Sequence, residues 1–271
     1  MGNVKGYSIS VVSVAALTVF LLAAASASGQ SGADRAPRTG DGRPNLNGIW
    51  EALNTANWDI EAHEARPGPP QFGALLAAPA GLGVVEGEIP YQPSAVAKKK
   101  ANFDKRWRED PEAKCYLPGI PRATYMPFPF QIVQGTDKIM MVYEYAAAAR
   151  TIHMGKVPES PIDTWMGHSV GRWDGQTLVV DVTAFNGSAW FDRAGNFQSN
   201  SLHVTERYTP AGADVLDYSA TIEDPTLYTR PWTIRMPLYR RLEKGAQVLE
   251  FKCVPFSEEL LYGDLRKKPS R

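Results

Sequence analysis

Trp165-Met-Gly-His-Ser-Val-Gly-Arg-Trp-Asp-Gly-Gln-Thr-Leu-Val-Val-Asp-Val-Thr-Ala-Phe185 is the stretch on which the fold turns. From Thr177 to Phe185 β-branched residues alternate with others, the period of a strand with one buried face. Asp174-Gly175 supplies the positive φ values that a tight turn needs, so Val170 to Trp173 and Thr177 to Phe185 read as a hairpin. Asn186-Gly187 ends its second arm. A polar loop with Trp190, Phe191, Asp192, Arg193 and Asn196 then leads into Ser201 to Tyr208, which alternates again.

The same period extends in both directions. Phe130 to Gln134, Lys138 to Tyr145 and Arg150 to Met154 precede the hairpin; Val215 to Glu223, Trp232 to Met236 and Gln247 to Cys253 follow it. So many short consecutive strands predict a mainly β fold, an antiparallel meander barrel or strongly curved sheet, because closure removes exposed edges. A two-sheet sandwich is the competing architecture.

Ahead of the meander, Trp58 to Pro93 is rich in Pro, Gly and Ala and reads as an extended excursion. Ser94 reads as the N-cap of a helix to Trp107, with Val96, Phe103 and Trp107 on one face, ended by Asp110-Pro111. Prolines at 118, 121, 127 and 129 make the following segment a rigid strap and not a central strand.

Residues 1–27 read as a signal peptide: Lys5, an apolar run from Ile9 to Ala25, then the small-residue pattern Ala25-Ser26-Ala27. An uncleaved anchor is the rival, since the run is long enough to span a bilayer. Residues 28–43 read as a disordered linker and 44–271 as a single β-barrel-like domain. A periplasmic or secreted location follows. Cys115 and Cys253 in an exported chain form a disulfide or remain two buried thiols.

Composition excludes several classes. Lys plus Arg equals Asp plus Glu, 29 each, so the basic footprint of a nucleic-acid binder is missing. No later segment is apolar enough for stable membrane insertion once the signal is cleaved. Gly167-His-Ser-Val-Gly171 has Gly-x-Ser-x-Gly spacing but opens no helix, so an α/β-hydrolase is excluded on fold; no Gly-rich phosphate loop precedes a helix, and no cofactor is implied. No metal is assigned either: His153, His168 and His203 lack chelating spacing, and His203 and Glu206 point to opposite faces of a strand.

The chemistry-bearing candidates gather around the opening stretch. His203, Thr205 and Arg207 share one strand face; Leu202, Val204, Glu206 and Tyr208 share the other. The polar face either meets solvent or lines a wet cavity. In the second case His203 exchanges a proton near neutral pH and Arg207 holds an oxyanion, with His168 and Asp192 completing the catalytic set. Trp165, Arg172, Trp190, Asn196, Tyr143 and His153 are the candidate ligand contacts, since tryptophans beside polar loops suit a ligand with both a ring face and hydroxyls. The leading expectation is a small organic or sugar-like ligand. The alternatives are a lyase or isomerase using the same pocket, and a structural envelope protein.

Two resemblances accompany these readings. Gly48-Ile-Trp50 resembles the first strand of lipocalin-like barrels, where the Trp plugs one end. The Cys115 to Gln134 run, the Trp165 to Gly175 loop, Trp190 to Asn196, Leu202 to Tyr208 and Glu223 to Trp232 together resemble a widespread, uncharacterised family of exported bacterial β-rich proteins. That likeness covers Pro90 to Lys267. It implies export and a β-rich fold, and a ligand calyx only by analogy of fold.

Overall fold

Alternation of this kind leaves one face of each strand apolar, and nine such strands bury those faces together by closing on themselves. In the computed structural model, which describes Gly2 and residues 36–68 and 76–257, they are β1 Gly48–Glu51, β2 Phe130–Gln134, β3 Lys138–Tyr143, β4 Ala149–Met154, β5 His168–Asp174, β6 Thr177–Thr183, β7 His203–Pro210, β8 Val215–Glu223 and β9 Trp232–Arg240. They form a closed barrel in sequence order, with β9 returning to β1. The signal-peptide reading of residues 1–27 lies outside the described residues. The barrel is the expected fold.

Each neighbouring pair is antiparallel except β4 and β5, which run parallel. This register sends the long connections to one end. There sit the excursion from Ala52, helix α1 (Pro93–Glu109), the proline-rich strap, and the loops 184–202 and 224–231. The other end carries mainly short turns, among them Asp174-Gly175.

Side chains fill the barrel. Trp50 is buried, its indole donates to Leu46 O (2.9 Å), and the Arg240 guanidinium lies 4.2 Å from its ring centre. Inside, Arg150 on β4 meets Glu206 on β7 at 2.6 and 3.1 Å. The hydroxyls of Tyr208 and Tyr218 donate to the same carboxylate at 2.9 and 2.8 Å. This buried ion pair satisfies most of its own hydrogen-bonding capacity, the condition under which such a pair is tolerated in a core.

Three readings need correction, and the expected pairing of the cysteines is present. Gln247 to Cys253 is not a strand, because β9 already pairs with β1 and no sheet edge remains; the segment instead runs out to Cys115. The cysteines are joined, with Cα atoms 5.6 Å apart, which fits an extracellular or periplasmic location. Helix α1 starts with Pro93 in its first turn after Gln92, not from a Ser94 cap, and it buries Ala95 and Asn102 while Val96 is exposed. Residues 36–43, read as part of a disordered linker, form a turn in which Thr39 N donates to Arg43 O (2.9 Å).

Candidate ligand-binding groove

The parallel pair leaves an opening in the barrel wall. Parallel neighbours need a crossover, here residues 155–167, and the β4–β5 ladder joins only Ile152–Met154 to Ser169–Gly171. Upstream of it the two chains part. Thr164 turns to the other side, donating to Ala184 O and accepting from Asn186 N, both at 2.9 Å. Gly167 permits this departure at φ +70°, and a Cβ there would lie 2.8 Å from Thr183 O. The resulting groove of about 560 Å³ is lined by Ala149 to Thr151, His153, Asp163 to Ser169, Leu117 and Asn186.

Three of the expected ligand and catalytic residues come together here. His153 and His168 stand on neighbouring parallel strands, their ring centres 5.4 Å apart and their planes 29° apart. Partial burial, followed by the neighbouring His168 and Lys138, holds the His153 imidazole below its usual range, so it is neutral at pH 7. His168 Nε2 is buried with no hydrogen-bond partner among the described residues. Buried polar atoms are nearly always paired, so this ring nitrogen is a polar group that the described residues leave unsatisfied beside the groove. Trp165 lines the groove and stacks on the exposed Tyr116, ring centres 5.0 Å apart and planes 13° apart. Arg150 lines its inner side with the guanidinium committed to Glu206.

The remaining candidates stand elsewhere. His203 and Arg207 lie outside the groove: Val204, Glu206 and Tyr208 are the buried side of β7, so the polar side faces outward. His203 lies between Asp181 (3.3 Å) and Glu223 (3.4 Å), and Arg207 pairs with Asp174 (3.0 Å). Arg172 pairs with Asp181, its guanidinium exposed. Arg172, Val179 and Arg207 form one cross-strand row, and Val179 is buried although it faces outward.

Asp192, Asn196 and Trp190 belong to the cap over the barrel end. Asp192 is fully buried and accepts from Ile60 N (3.0 Å), Asn196 N (3.1 Å) and Asn196 Nδ2 (2.6 Å). Burial first, and Asp59 second, push its carboxyl up to about 7. The Asn196 side-chain oxygen Oδ1 accepts from the Tyr91 hydroxyl (2.9 Å), and Trp190 is buried nearby in the same loop. Tyr143 is enclosed in the barrel, where burial raises its hydroxyl pKa. None of these four reaches the groove.

The interior pair Arg150–Glu206 escaped the reading of the sequence. One signal for it was present. Glu206 alternates into a face otherwise made of Leu202, Val204 and Tyr208, and a carboxylate on such a face requires a buried cation.

The chain matches no protein-family model, no curated protein and no solved structure. Among the described residues no helix is long and apolar enough to cross a membrane, and no three His, Cys, Asp or Glu side chains are grouped to hold a metal.

Proposed function

We propose that the protein is an exported barrel that binds a small hydroxylated or aromatic molecule in the groove between β4 and the start of β5. The observation that carries this reading is the conjunction, in one opening of about 560 Å³, of the paired imidazoles and the Trp165 ring. Neutral imidazole offers one donor and one acceptor, which suits a hydroxyl. An aromatic platform supplies apolar contact to the face of a sugar or ring. The barrel interior, occupied by its own side chains, is not the binding site in this reading; the groove lies in the wall. The resemblance to exported β-rich bacterial proteins is in keeping with the disulfide.

The experiment is a panel of mono- and oligosaccharides and small phenols, titrated against tryptophan fluorescence and calorimetry. Binding that Trp165→Ala and His168→Ala each weaken, with circular dichroism unchanged, supports the reading. A ligand whose affinity neither variant alters overturns it.

A second reading is proton transfer by the same pair, as in a lyase or isomerase. The orphaned His168 Nε2 beside a neutral second imidazole favours it. Turnover of a groove ligand that His168→Gln abolishes without loss of binding separates the two readings.

A further inference from the structure

A second cavity, of about 750 Å³, lies against the strap residues Pro127 and Phe128. It is bounded by the last turns of α1, the Pro111–Lys114 turn, Phe128, Tyr145 and the segment from Phe251 to Ser257. Phe251 meets Phe128 edge-on at 4.8 Å and Tyr145 at 5.2 Å. With Trp107 these rings make an aromatic wall, and Cys253, bonded to Cys115, fixes one side of it.

Charge around this cavity is unequal once partners are assigned. Asp110 and Glu112 are neutralised by Arg122, and Glu112 also by Arg193. Glu109 pairs with Lys114 and Asp104 with Lys100. Among the described residues the lining cations Lys105, Arg106 and Arg108 form no salt bridge, although Asp104 acts on Arg106 and Glu109 on Lys105 through space. Arg106 is the telling one. It is partly buried, donates once to Phe103 O (2.6 Å), and its guanidinium lies 4.0 Å from the Phe103 ring centre and 4.6 Å from that of Trp107.

A helix C-terminus favours cations, which explains Arg108 at the surface. It does not explain a half-buried guanidinium stacked on two rings at a cavity wall. Partly burying an unpaired cation is costly, and an anion entering the cavity recovers that cost. Arginine's planar fork also matches a carboxylate with two parallel hydrogen bonds.

We propose that this cavity is a separate binding site for a flat aromatic carboxylate, its ring against Trp107, Phe128 and Phe251 and its carboxylate on Arg106. Burial first, and the nearby Arg66 second, hold the Arg106 guanidinium below its usual range against the opposing pull of Asp104. The site is independent of the groove and of any ligand bound there.

The test uses 2-naphthoate as the probe, titrated into the purified protein by calorimetry with tryptophan fluorescence in parallel. One equivalent binds to the unaltered protein. Arg106→Gln, shown to be folded by circular dichroism, weakens it about tenfold or more, the size expected for loss of a charge-assisted hydrogen bond. The neutral analogue 2-naphthalenemethanol binds the unaltered protein correspondingly less well, a comparison that needs no variant, and His168→Ala leaves naphthoate binding as it was. No binding of naphthoate at millimolar concentration overturns the proposal. So does equal affinity for acid and alcohol, or full affinity retained by Arg106→Gln.

Discussion

His153 and His168 hold their imidazoles 5.4 Å apart across the barrel's only parallel strand pair among the described residues. The contact depends on the crossover: it delivers β5 beside β4 from the same direction, and the short ladder between them leaves the wall open where the rings stand. Removing the crossover geometry should therefore close the groove without unfolding the barrel. Gly167→Val places a Cβ against the Thr183 carbonyl at a positive φ. We expect it to lower stability by about 1–3 kcal/mol and to abolish ligand binding; urea titration and calorimetry on one sample check both.

The neutral state of His153 gives the groove a pH signature. Its pKa is lowered, so protonation occurs only below the usual imidazole range. Affinity for a neutral ligand is expected to stay level from pH 8 down through about 6.5 and to fall only at more acid pH. His153→Gln should flatten that acid limb, read by titration at several pH values.

The Arg150–Glu206 pair sits inside the barrel with two tyrosine hydroxyls on the carboxylate. Arg150→Met leaves a buried charge unpaired and should cost about 3–5 kcal/mol. Adding Glu206→Leu should recover part of that loss, because the charge is gone while Tyr208 and Tyr218 still lack an acceptor. Chemical denaturation of the single and double variants measures the difference, and a double variant no more stable than Arg150→Met contradicts the pairing.

Asp192 makes a separate prediction about pH and stability. Its native pKa is raised to about 7, so the folded chain binds a proton that the unfolded chain releases near the ordinary carboxylate range. Between roughly pH 4 and 7 the native state thus binds more protons, and this group's contribution to stability declines as pH rises. Asp192→Asn should remove that component, making the stability curve of the variant rise relative to the parent's as pH increases. Melting temperatures across this range, with identical slopes for both proteins, would contradict the assignment.

The disulfide joins residues 138 apart in sequence, and it secures the segment that follows β9. Reduction should lower stability by about 2–5 kcal/mol, since the unfolded chain regains the freedom of a long loop. Denaturation with and without reductant measures this.

Much of the barrel was legible because alternation is a local property: the patterns at Thr177 to Phe185 and Val215 to Glu223 needed no knowledge of their neighbours. Partner choice is not local. Nothing in Arg150 to Met154 or His168 to Trp173 distinguishes a parallel from an antiparallel ladder, so the groove that depends on it was not foreseen. Alternation also groups His203, Thr205 and Arg207 without saying which way they point. The apolar company of Glu206 decides that question, and the charge of Glu206 obscured it. Asp192 and Asn196 sit in a loop without periodicity, where sequence records polarity but not burial. Gln247 to Cys253 alternates like a strand, yet the closure of β9 on β1 leaves it no partner.

The central claim, that the ligand sits in the wall and not in the lumen, is tested most directly by nuclear magnetic resonance of the protein with isotope-labelled histidine and tryptophan. On adding a ligand found in the panel, we expect the His153, His168 and Trp165 ring signals to shift together and saturably, while those of Trp50 and Trp232 stay in place. Shifts confined to Trp50 and Trp232, with the three groove signals unmoved, would contradict it.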